Sequence, residues 1–207
     1  MNIIPKIENI RKDFPIFANN PDLVFLDNAS TTQKPQSVIN TLTEYYENYN
    51  SNIHRGIYQI AEKATAAYED TRKKVAKLIG VQETKSLIFT KGTTEGINLV
   101  ANSWGNSNLK AGDEVLITEM EHHSNIIPWQ LICKRKGAIL KYIPIKTDGT
   151  LDLSNPERYF TSKTKIVCVI HQSNVFGTVN PISEIVQLAH DCGALVLVDG
   201  AQIVPHH

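Results

Sequence analysis

The sequence predicts an α/β fold with a mostly parallel sheet and helices on both faces. From residue 87 onward, short apolar runs alternate with segments in which apolar residues recur every three or four positions. The run Ala194–Val198 is apolar throughout and lies between Gly193 and Asp199, which is typical of a strand buried on both faces of a parallel sheet. The chain has 207 residues, of which 42% are hydrophobic, so it can bury a sizeable core.

The first part of the chain is predicted to be helical. Residues 1–22 contain three prolines and show helical spacing only at Ile7–Arg11, so we expect a loosely structured arm. Helices are predicted at Gln36–Asn48 and Gln59–Ile79, where apolar side chains fall mostly on one stripe. Gly80 is suited to end the second helix because glycine readily adopts the left-handed conformation of a C-cap.

The second part alternates strands and helices. Strands are predicted at Leu87–Thr90, Glu114–Thr118, Ala138–Ile145, Lys165–Ile170 and Ala194–Val198. Helices are predicted at Gly96–Trp104, Ile126–Gly137 and Pro181–Cys192, and residues 91–95 are predicted to form a turn. Strands that alternate with helices in this way normally pair in parallel.

Composition excludes several classes of function. The chain carries 21 Lys and Arg against 21 Asp and Glu, so its charge gives no reason to expect nucleic acid or an anionic membrane as a partner. No apolar run approaches the roughly 20 residues that span a bilayer, and no signal-peptide core is present. Cys133, Cys168 and Cys192 are widely spaced and odd in number, which indicates reduced structural thiols in a cytoplasmic protein.

A phosphate site is one interpretation of the residues before the predicted helix at Gly96. The amides of a helix N-terminus attract phosphate, Gly92 permits close approach, and the hydroxyls of Thr93 and Thr94 can add hydrogen bonds. The alternative is an ordinary N-cap formed by one of the threonines, with Glu95 in the first turn.

Three further polar side chains follow predicted strands. His122 offers an imidazole that can lie against a flat aromatic ligand, and Asn174 offers an amide. Asp199 offers a carboxylate at the end of its strand, where ligands of parallel sheets bind, although it can equally cap the next turn. His122 and His123 point in different directions on any regular element, so no metal site is expected.

Two loops in the first part of the chain carry polar groups of undecided role. Asn28 and Ser30 can contact a ligand or make local turns. His54 and Arg55, followed by Gly56, can present an imidazole and a guanidinium to an anion, or form a solvated loop.

A single ligand matches the groups at the strand ends. A phosphate, a flat ring, a ring hydroxyl and a basic ring nitrogen all occur in pyridoxal 5'-phosphate, whose ring takes up electrons during catalysis. A nucleotide is disfavoured because the chain has neither a Gly-x-Gly-x-x-Gly motif after a strand nor a Walker-type lysine motif.

Several motifs in one order resemble the group II (Suf-type) cysteine desulfurases of the class V aminotransferase family. They are Leu-Asp-Asn-Ala (26–29), His-Arg-Gly (54–56), Lys-Gly-Thr-Thr-Glu-Gly-Ile-Asn-Leu-Val-Ala (91–101), Ser-Trp-Gly (103–105), Glu-His-His-Ser-Asn-Ile-Ile-Pro-Trp-Gln (121–130), Ser-Asn-Val-Phe-Gly (173–177) and Val-Asp-Gly-Ala-Gln (198–202). The resemblance covers essentially the whole chain. It implies the N-terminal portion of a fold type I transferase, with an arm, helix and substrate-side loop at residues 1–60 and an incomplete cofactor-binding large domain at 61–207.

The resemblance also implies a role for each candidate residue. Thr93 and Thr94 would hold the cofactor phosphate, and His122 would stack on the pyridine ring and move protons. The ring oxygen would be bound by Asn174 and Gln202, and the ring nitrogen by Asp199. Asn28, His54 and Arg55 would lie near the substrate.

In the family, L-cysteine is converted to L-alanine and an enzyme persulfide, and the sulfur passes to a Suf-type acceptor protein for iron–sulfur cluster assembly. Family members are homodimers, and a cytoplasmic location is expected. The family's Schiff-base lysine, in a Ser-Gly-His-Lys motif, and its persulfide cysteine have no counterpart in these residues, so the isolated 207-residue chain is predicted to be inactive. The alternatives are a selenocysteine lyase or other class V enzyme, and a non-catalytic truncated gene product.

Overall fold

The computed structural model describes residues 7–206, with side-chain burial from residue 9 onward. The first six residues of the predicted arm and His207 lie outside the described residues. The chain divides into two compact units, Met1–Ile88 and Phe89–His207. The functional division predicted at residue 60 stays a prediction.

The first unit is helical. Its helices are α1 (Ile7–Lys12), α2 (Pro15–Asn19), α3 (Gln36–Asn48) and α4 (Gln59–Leu78), followed by a short 3-10 turn at Thr84–Ser86. The bounds of α3 are those predicted, and Gly80 after α4 has a φ of 72°. The predicted arm contains a second helix, which begins at Pro15. Proline is tolerated in the first turn of a helix because an N–H at that position would have no intrahelical acceptor. Within residues 7–206, no helix combines the length and apolarity needed to cross a membrane.

The strand predicted at Leu87–Thr90 is wrong. Leu87 has extended backbone angles, φ −97° and ψ 122°, but residues 87–90 join no strand ladder within the described part of the chain. The Leu87 carbonyl instead accepts a hydrogen bond from the guanidinium of Arg72. An extended segment becomes a strand only when a neighbour pairs with it. The predicted turn at 91–95 is also shorter than expected, because helix begins at Thr93.

The second unit contains a four-stranded parallel sheet. Its strands are β1 (Glu114–Thr118), β2 (Ile139–Ile143), β3 (Thr164–Ile170) and β4 (Leu195–Asp199), in the spatial order β2-β1-β3-β4. Its helices are α5 (Thr93–Val100), α6 (Asn106–Asn108), α7 (Ile127–Lys136) and α8 (Ile182–Asp191). A π-helical turn, Ala101–Gly105, joins α5 to α6, and single 3-10 turns occur at His123–Asn125 and Pro156–Arg158.

The sheet separates two apolar cores because successive strand residues point to opposite faces. On one face, α5, the π-helical turn and α7 cover a core that includes Val115, Ile117 and Trp129. On the other face, α8 covers a core that includes Leu116, Val167 and Ile185. The predicted parallel sheet with helices on both faces is therefore confirmed.

The expectation that the last strand is buried on both faces is wrong. Leu195 is 51% exposed and Val198 is 40% exposed. The reason is the position of β4, which pairs with β3 on one side and lies at the edge of the sheet formed by the described residues. Sequence alone does not distinguish an edge strand from a central one when every residue in the run is apolar.

Candidate functional site

The carboxyl ends of β1, β3 and β4 lie side by side at one edge of the sheet. The ladder pairs Ile170, the last residue of β3, with Asp199, the last residue of β4. It also pairs Ile117 of β1 with Cys168 of β3. The segments that follow these three strands therefore share one edge, which is where ligands of parallel α/β sheets bind.

Asp199 is a buried carboxylate at this edge, with 3% of its surface exposed. Its Oδ1 accepts a hydrogen bond of 3.0 Å from the backbone N–H of Ala201, so the residue does cap the turn that follows β4. Among the described residues, its Oδ2 accepts no hydrogen bond. One carboxylate oxygen thus orients the side chain and the other remains available as an acceptor.

His122 follows β1 and caps the 3-10 turn at His123–Asn125. Its Nδ1 accepts a hydrogen bond of 3.2 Å from the backbone N–H of Ser124 and lies 2.7 Å from the Ser124 hydroxyl. A backbone N–H can only donate, so the neutral His122 ring carries its proton on Nε2. The ring is exposed and is free to present that N–H and its faces.

Glu121, the residue before His122, was not among the predicted site residues. Its side chain is 7% exposed and lies between the ends of β1 and β3. Oε1 accepts hydrogen bonds from the Thr118 hydroxyl (2.7 Å) and the Ile170 N–H (2.8 Å). Oε2 accepts one from the Asn125 amide (2.7 Å).

Burial raises the pKa of Glu121 from its ordinary value of 4.5 to about 7, and the negative charge of Asp199 acts in the same direction. The three hydrogen bonds to the carboxylate lower the pKa but do not outweigh burial. The sequence does carry one sign of this arrangement. Glu121, Asn125 and Trp129 follow one another at intervals of four, and these three side chains are linked by hydrogen bonds.

The first turn of α5 is exposed, and no described side chain caps its N-terminus. Gly92 is its N-cap, with a φ of 157°, and no described atom lies within 4 Å of where a Cβ would stand. Neither threonine occupies the cap position, so the exposed hydroxyls of Thr93 and Thr94 are not used as caps. The carboxylate of Glu95 accepts a hydrogen bond of 2.5 Å from the Lys91 N–H, which closes the turn before the helix.

The course of the chain brings this helix terminus to the same edge. After α5 the chain passes through the π-helical turn and α6, and a five-residue connection leads into the first residue of β1. A helix that feeds a strand through a short connection runs antiparallel to it, so the N-terminus of α5 lies on the side of the strand's carboxyl end. α5 also packs against the 3-10 turn at His123–Asn125.

Asn174 and Gln202 follow β3 and β4. Asn174 is exposed in a turn where the Ser173 hydroxyl accepts hydrogen bonds from the N–H groups of Val175 (3.2 Å) and Phe176 (3.1 Å). Gln202 is half-buried in the turn after β4. The structure therefore groups Thr93, Thr94, His122, Asn174, Asp199 and Gln202 around one sheet edge.

The remaining predicted residues belong to the first unit. Asn28 and Arg55 are exposed. His54 has a φ of 65° and is oriented by α4: its N–H donates to the Thr65 hydroxyl (3.0 Å) and its Nε2 lies 3.4 Å from Glu69. A side chain on Gly56 would overlap the Cβ of Ala61 in α4, so the glycine of the His-Arg-Gly motif has a packing role.

The three cysteines are free thiols. Cys133 and Cys168 are buried, and burial raises the pKa of Cys133 to about 11 and that of Cys168 well above its ordinary value. A thiol that stays protonated at neutral pH is a poor nucleophile. These two cysteines therefore act as packing residues.

The sequence matches a known family over most of its length. The family model described as Aminotransferase class-V covers residues 24–207. This chain belongs to the class-V aminotransferase family. The class-V chain is 51% identical over 200 residues to a probable cysteine desulfurase of Halalkalibacterium halodurans, an alignment that covers 95% of this chain and 49% of the relative. It is 47% identical over 208 residues to a cysteine desulfurase of Escherichia coli K12, an alignment that covers 99% of this chain and 51% of the relative.

A solved structure gives the same result for the fold. The apo cysteine desulfurase from Thermococcus onnurineus NA1 superposes with a TM-score of 0.91 at 37% identity, covering 100% of this class-V chain and 50% of that structure. The chain thus spans about half the length of the relatives it matches. The predicted resemblance to the N-terminal portion of a cysteine desulfurase is confirmed.

Proposed function

We propose that this chain forms the cofactor-binding part of a pyridoxal-phosphate-dependent cysteine desulfurase. The observation that carries the proposal is the open Oδ2 of the buried Asp199, at the edge that also holds His122 and the amides of α5. The names of the relatives support the same activity.

The residues at the edge fit the phosphate group. The amides of the first turn of α5 and the hydroxyls of Thr93 and Thr94 provide several donors to a dianion, and the helix dipole adds attraction. Gly92 fits a close approach, because no described atom lies within 4 Å of where a Cβ would stand on it.

The polar residues at the sheet edge also fit the pyridine ring of pyridoxal phosphate. A buried carboxylate is stabilised by a cationic partner, so Asp199 would bind the pyridine nitrogen and keep it protonated. When bound, pyridoxal phosphate supplies an electron sink for bond cleavage in the amino-acid substrate. His122, with its proton on Nε2, would lie against the ring, and the amides of Asn174 and Gln202 would donate to the ring oxygen.

In this proposal, Asn28, His54 and Arg55 bind the amino-acid substrate. A guanidinium binds a carboxylate with two parallel hydrogen bonds, so Arg55 suits the carboxylate of an amino acid. Glu69 and Thr65 hold His54 in a fixed orientation next to it.

In the complete protein, the reaction converts L-cysteine to L-alanine and delivers sulfur to a Suf-type acceptor protein for iron–sulfur cluster assembly. The complete protein acts as a cytoplasmic homodimer. The Ser-Gly-His-Lys motif of the family is absent from these 207 residues, and no lysine or cysteine here is proposed to carry the covalent steps.

The test uses the complete gene product, purified with and without added pyridoxal phosphate. The wild type is expected to develop a visible absorption band and to form alanine from cysteine. Asp199→Asn keeps the shape of the side chain but loses its charge, so both signals should fall sharply. Asp191→Asn, at the exposed end of α8, is the matched control and should behave as the wild type. A wild type with no band and no alanine would overturn the proposal.

A further inference from the structure

We propose that Glu121 is a positioning residue, whose buried carboxylate fixes the turn that presents His122 at the sheet edge. The proposal rests on the proposed function for the role of His122 in cofactor binding. The geometry of the turn itself is independent of that role. Glu121 is tied to β1 through Thr118 and to β3 through Ile170, so it spans two strands.

Glu121 continues the sheet beyond the end of a strand. The ladder between β1 and β3 stops at the pair Ile117 and Cys168, so the N–H of Ile170 meets no backbone acceptor from β1. The carboxylate of Glu121 supplies that acceptor at 2.8 Å. A buried N–H left without an acceptor is destabilising, so this contact holds the chain after β1 against β3.

The orientation of the hydrogen bonds around Glu121 is determined by Trp129. The indole N–H of Trp129, which is fully buried, donates to Oδ1 of Asn125 at 3.0 Å. An indole N–H can only donate, so Asn125 must turn its NH2 group towards Glu121. Glu121 must therefore accept at Oε2 as well as at Oε1, which a carboxylate does and a carboxamide does not.

The same turn contains the two contacts that orient His122. The backbone carbonyl of His122 accepts from the N–H of Asn125 at 2.8 Å, and its Nδ1 accepts from the N–H of Ser124. Asn125 is thus held by its side chain to Glu121 and by its backbone to His122. A displacement of the Glu121 carboxylate would therefore displace Asn125 and, with it, the imidazole ring of His122.

The charges that face Glu121 come from two strands. Asp199 on β4 adds to the effect of burial in raising the pKa of Glu121, and the pKa of the Cys168 thiol on β3 is raised by burial and, in addition, by the Glu121 carboxylate. Binding of a cationic ring nitrogen at Asp199 would relieve the repulsion between the two acids. Glu121 is therefore placed to respond to the cofactor as well as to orient His122.

The test exchanges the carboxylate of Glu121 and the carboxamide of Asn125 between the two positions. In Glu121→Gln, the new NH2 group faces either the NH2 group of Asn125 or the N–H of Ile170, and a flip of Asn125 only moves the conflict to Trp129. In Asn125→Asp, two carboxylates face each other. In the double variant Glu121→Gln/Asn125→Asp, every donor again has an acceptor, because the introduced carboxamide donates to the introduced carboxylate, which also accepts from Trp129. Each single variant should be impaired, and the double variant should recover.

The readouts, in the complete gene product, are the 15N chemical shifts of the His122 ring and the Ser124 amide, and the affinity for pyridoxal phosphate. Glu121→Gln should shift both resonances and weaken cofactor binding about tenfold or more, as misplaced supporting groups do. Glu119→Gln is the matched control, because the side chain's partner among the described residues, the N–H of Ile145 (3.1 Å), can still donate to a glutamine oxygen.

Unchanged resonances and affinity in Glu121→Gln would overturn the proposal. So would a folded double variant that fails to recover, since its hydrogen bonds are restored. If Glu121→Gln does not fold, recovery of folding and of the His122 resonances in the double variant supports the proposal. If His122→Ala binds cofactor as the wild type does, the assigned role of His122 fails, while the resonances still test the positioning by Glu121.

Discussion

Ionisation of Glu121 should make the stability of the protein depend on pH in a defined window. Its pKa in the folded chain is about 7 against an ordinary value of 4.5, so between these values the folded state binds a proton that the unfolded state has lost. The free energy of unfolding therefore falls as the pH rises from about 4.5 to about 7. At about 1.4 kcal/mol per pH unit, the contribution of Glu121 amounts to about 3 kcal/mol.

The acids with lowered pKa values act in the opposite direction and in a different window. Hydrogen bonds within their turns lower the pKa of Asp148 and Asp152, so these residues stabilise the fold above their ordinary values and lose that effect as the pH falls. Their contribution is constant above about pH 5, where that of Glu121 changes.

The assay is urea unfolding of the wild type, Glu121→Gln and the control Glu119→Gln between about pH 5 and pH 8. The wild type and Glu119→Gln should lose stability with rising pH, and Glu121→Gln should lose about 3 kcal/mol less. A pH dependence that is the same in all three proteins would refute the reasoning.

Three further predictions concern packing, backbone and thiols. Ile185 is fully buried in the core under α8, so Ile185→Ala should lower the free energy of unfolding by about 2–5 kcal/mol, whereas the exposed Gln187→Ala on the same helix should change it by less than about 0.5 kcal/mol. Gly137 ends α7 with a φ of 70°, so Gly137→Ala should cost about 1 kcal/mol in the same urea assay. Cys133 and Cys168 should resist iodoacetamide in the native protein and react after denaturation, as mass spectrometry of the peptides would record.

Each of these predictions has an opposite outcome. Equal losses in Ile185→Ala and Gln187→Ala would mean that the core under α8 is not packed as described. An alanine at position 137 that raises stability would contradict the left-handed conformation. Labelling of Cys133 in the native protein at the rate of an exposed thiol would contradict its burial.

The regular elements could be predicted from local patterns, because their periodicity is carried by adjacent residues. The bounds of α3 and β1 coincide with the spacing of apolar residues in Gln36–Asn48 and Glu114–Thr118. The segment Leu87–Thr90 could not be predicted in this way, because an apolar run becomes a strand only if another strand pairs with it. For the same reason the sequence did not distinguish β4 as an edge strand.

The candidate site also contains residues that could be predicted from the sequence and residues that could not. Asp199 and His122 could be assigned to strand ends because the sequence marks where each strand stops. Glu121 was missed although Asn125 and Trp129 follow it at intervals of four, because its partner Ile170 lies 49 residues further along the chain and contributes only a backbone N–H. No side-chain pattern records that contact. The sequence also does not show which oxygen of Asp199 accepts the N–H of Ala201 and which remains available to a ligand, because that depends on the conformation of the turn after β4.

The free edge of β4 has a consequence for how this polypeptide behaves when it is produced alone. Its outer backbone groups have no ladder partner among the described residues, and Leu195 and Val198 leave apolar surface beside them. Such an edge is a template for strands of other molecules and favours aggregation. A companion segment that caps this edge would have to provide hydrogen-bonding backbone and apolar cover together, so solubility on co-expression is a convenient screen for such a segment.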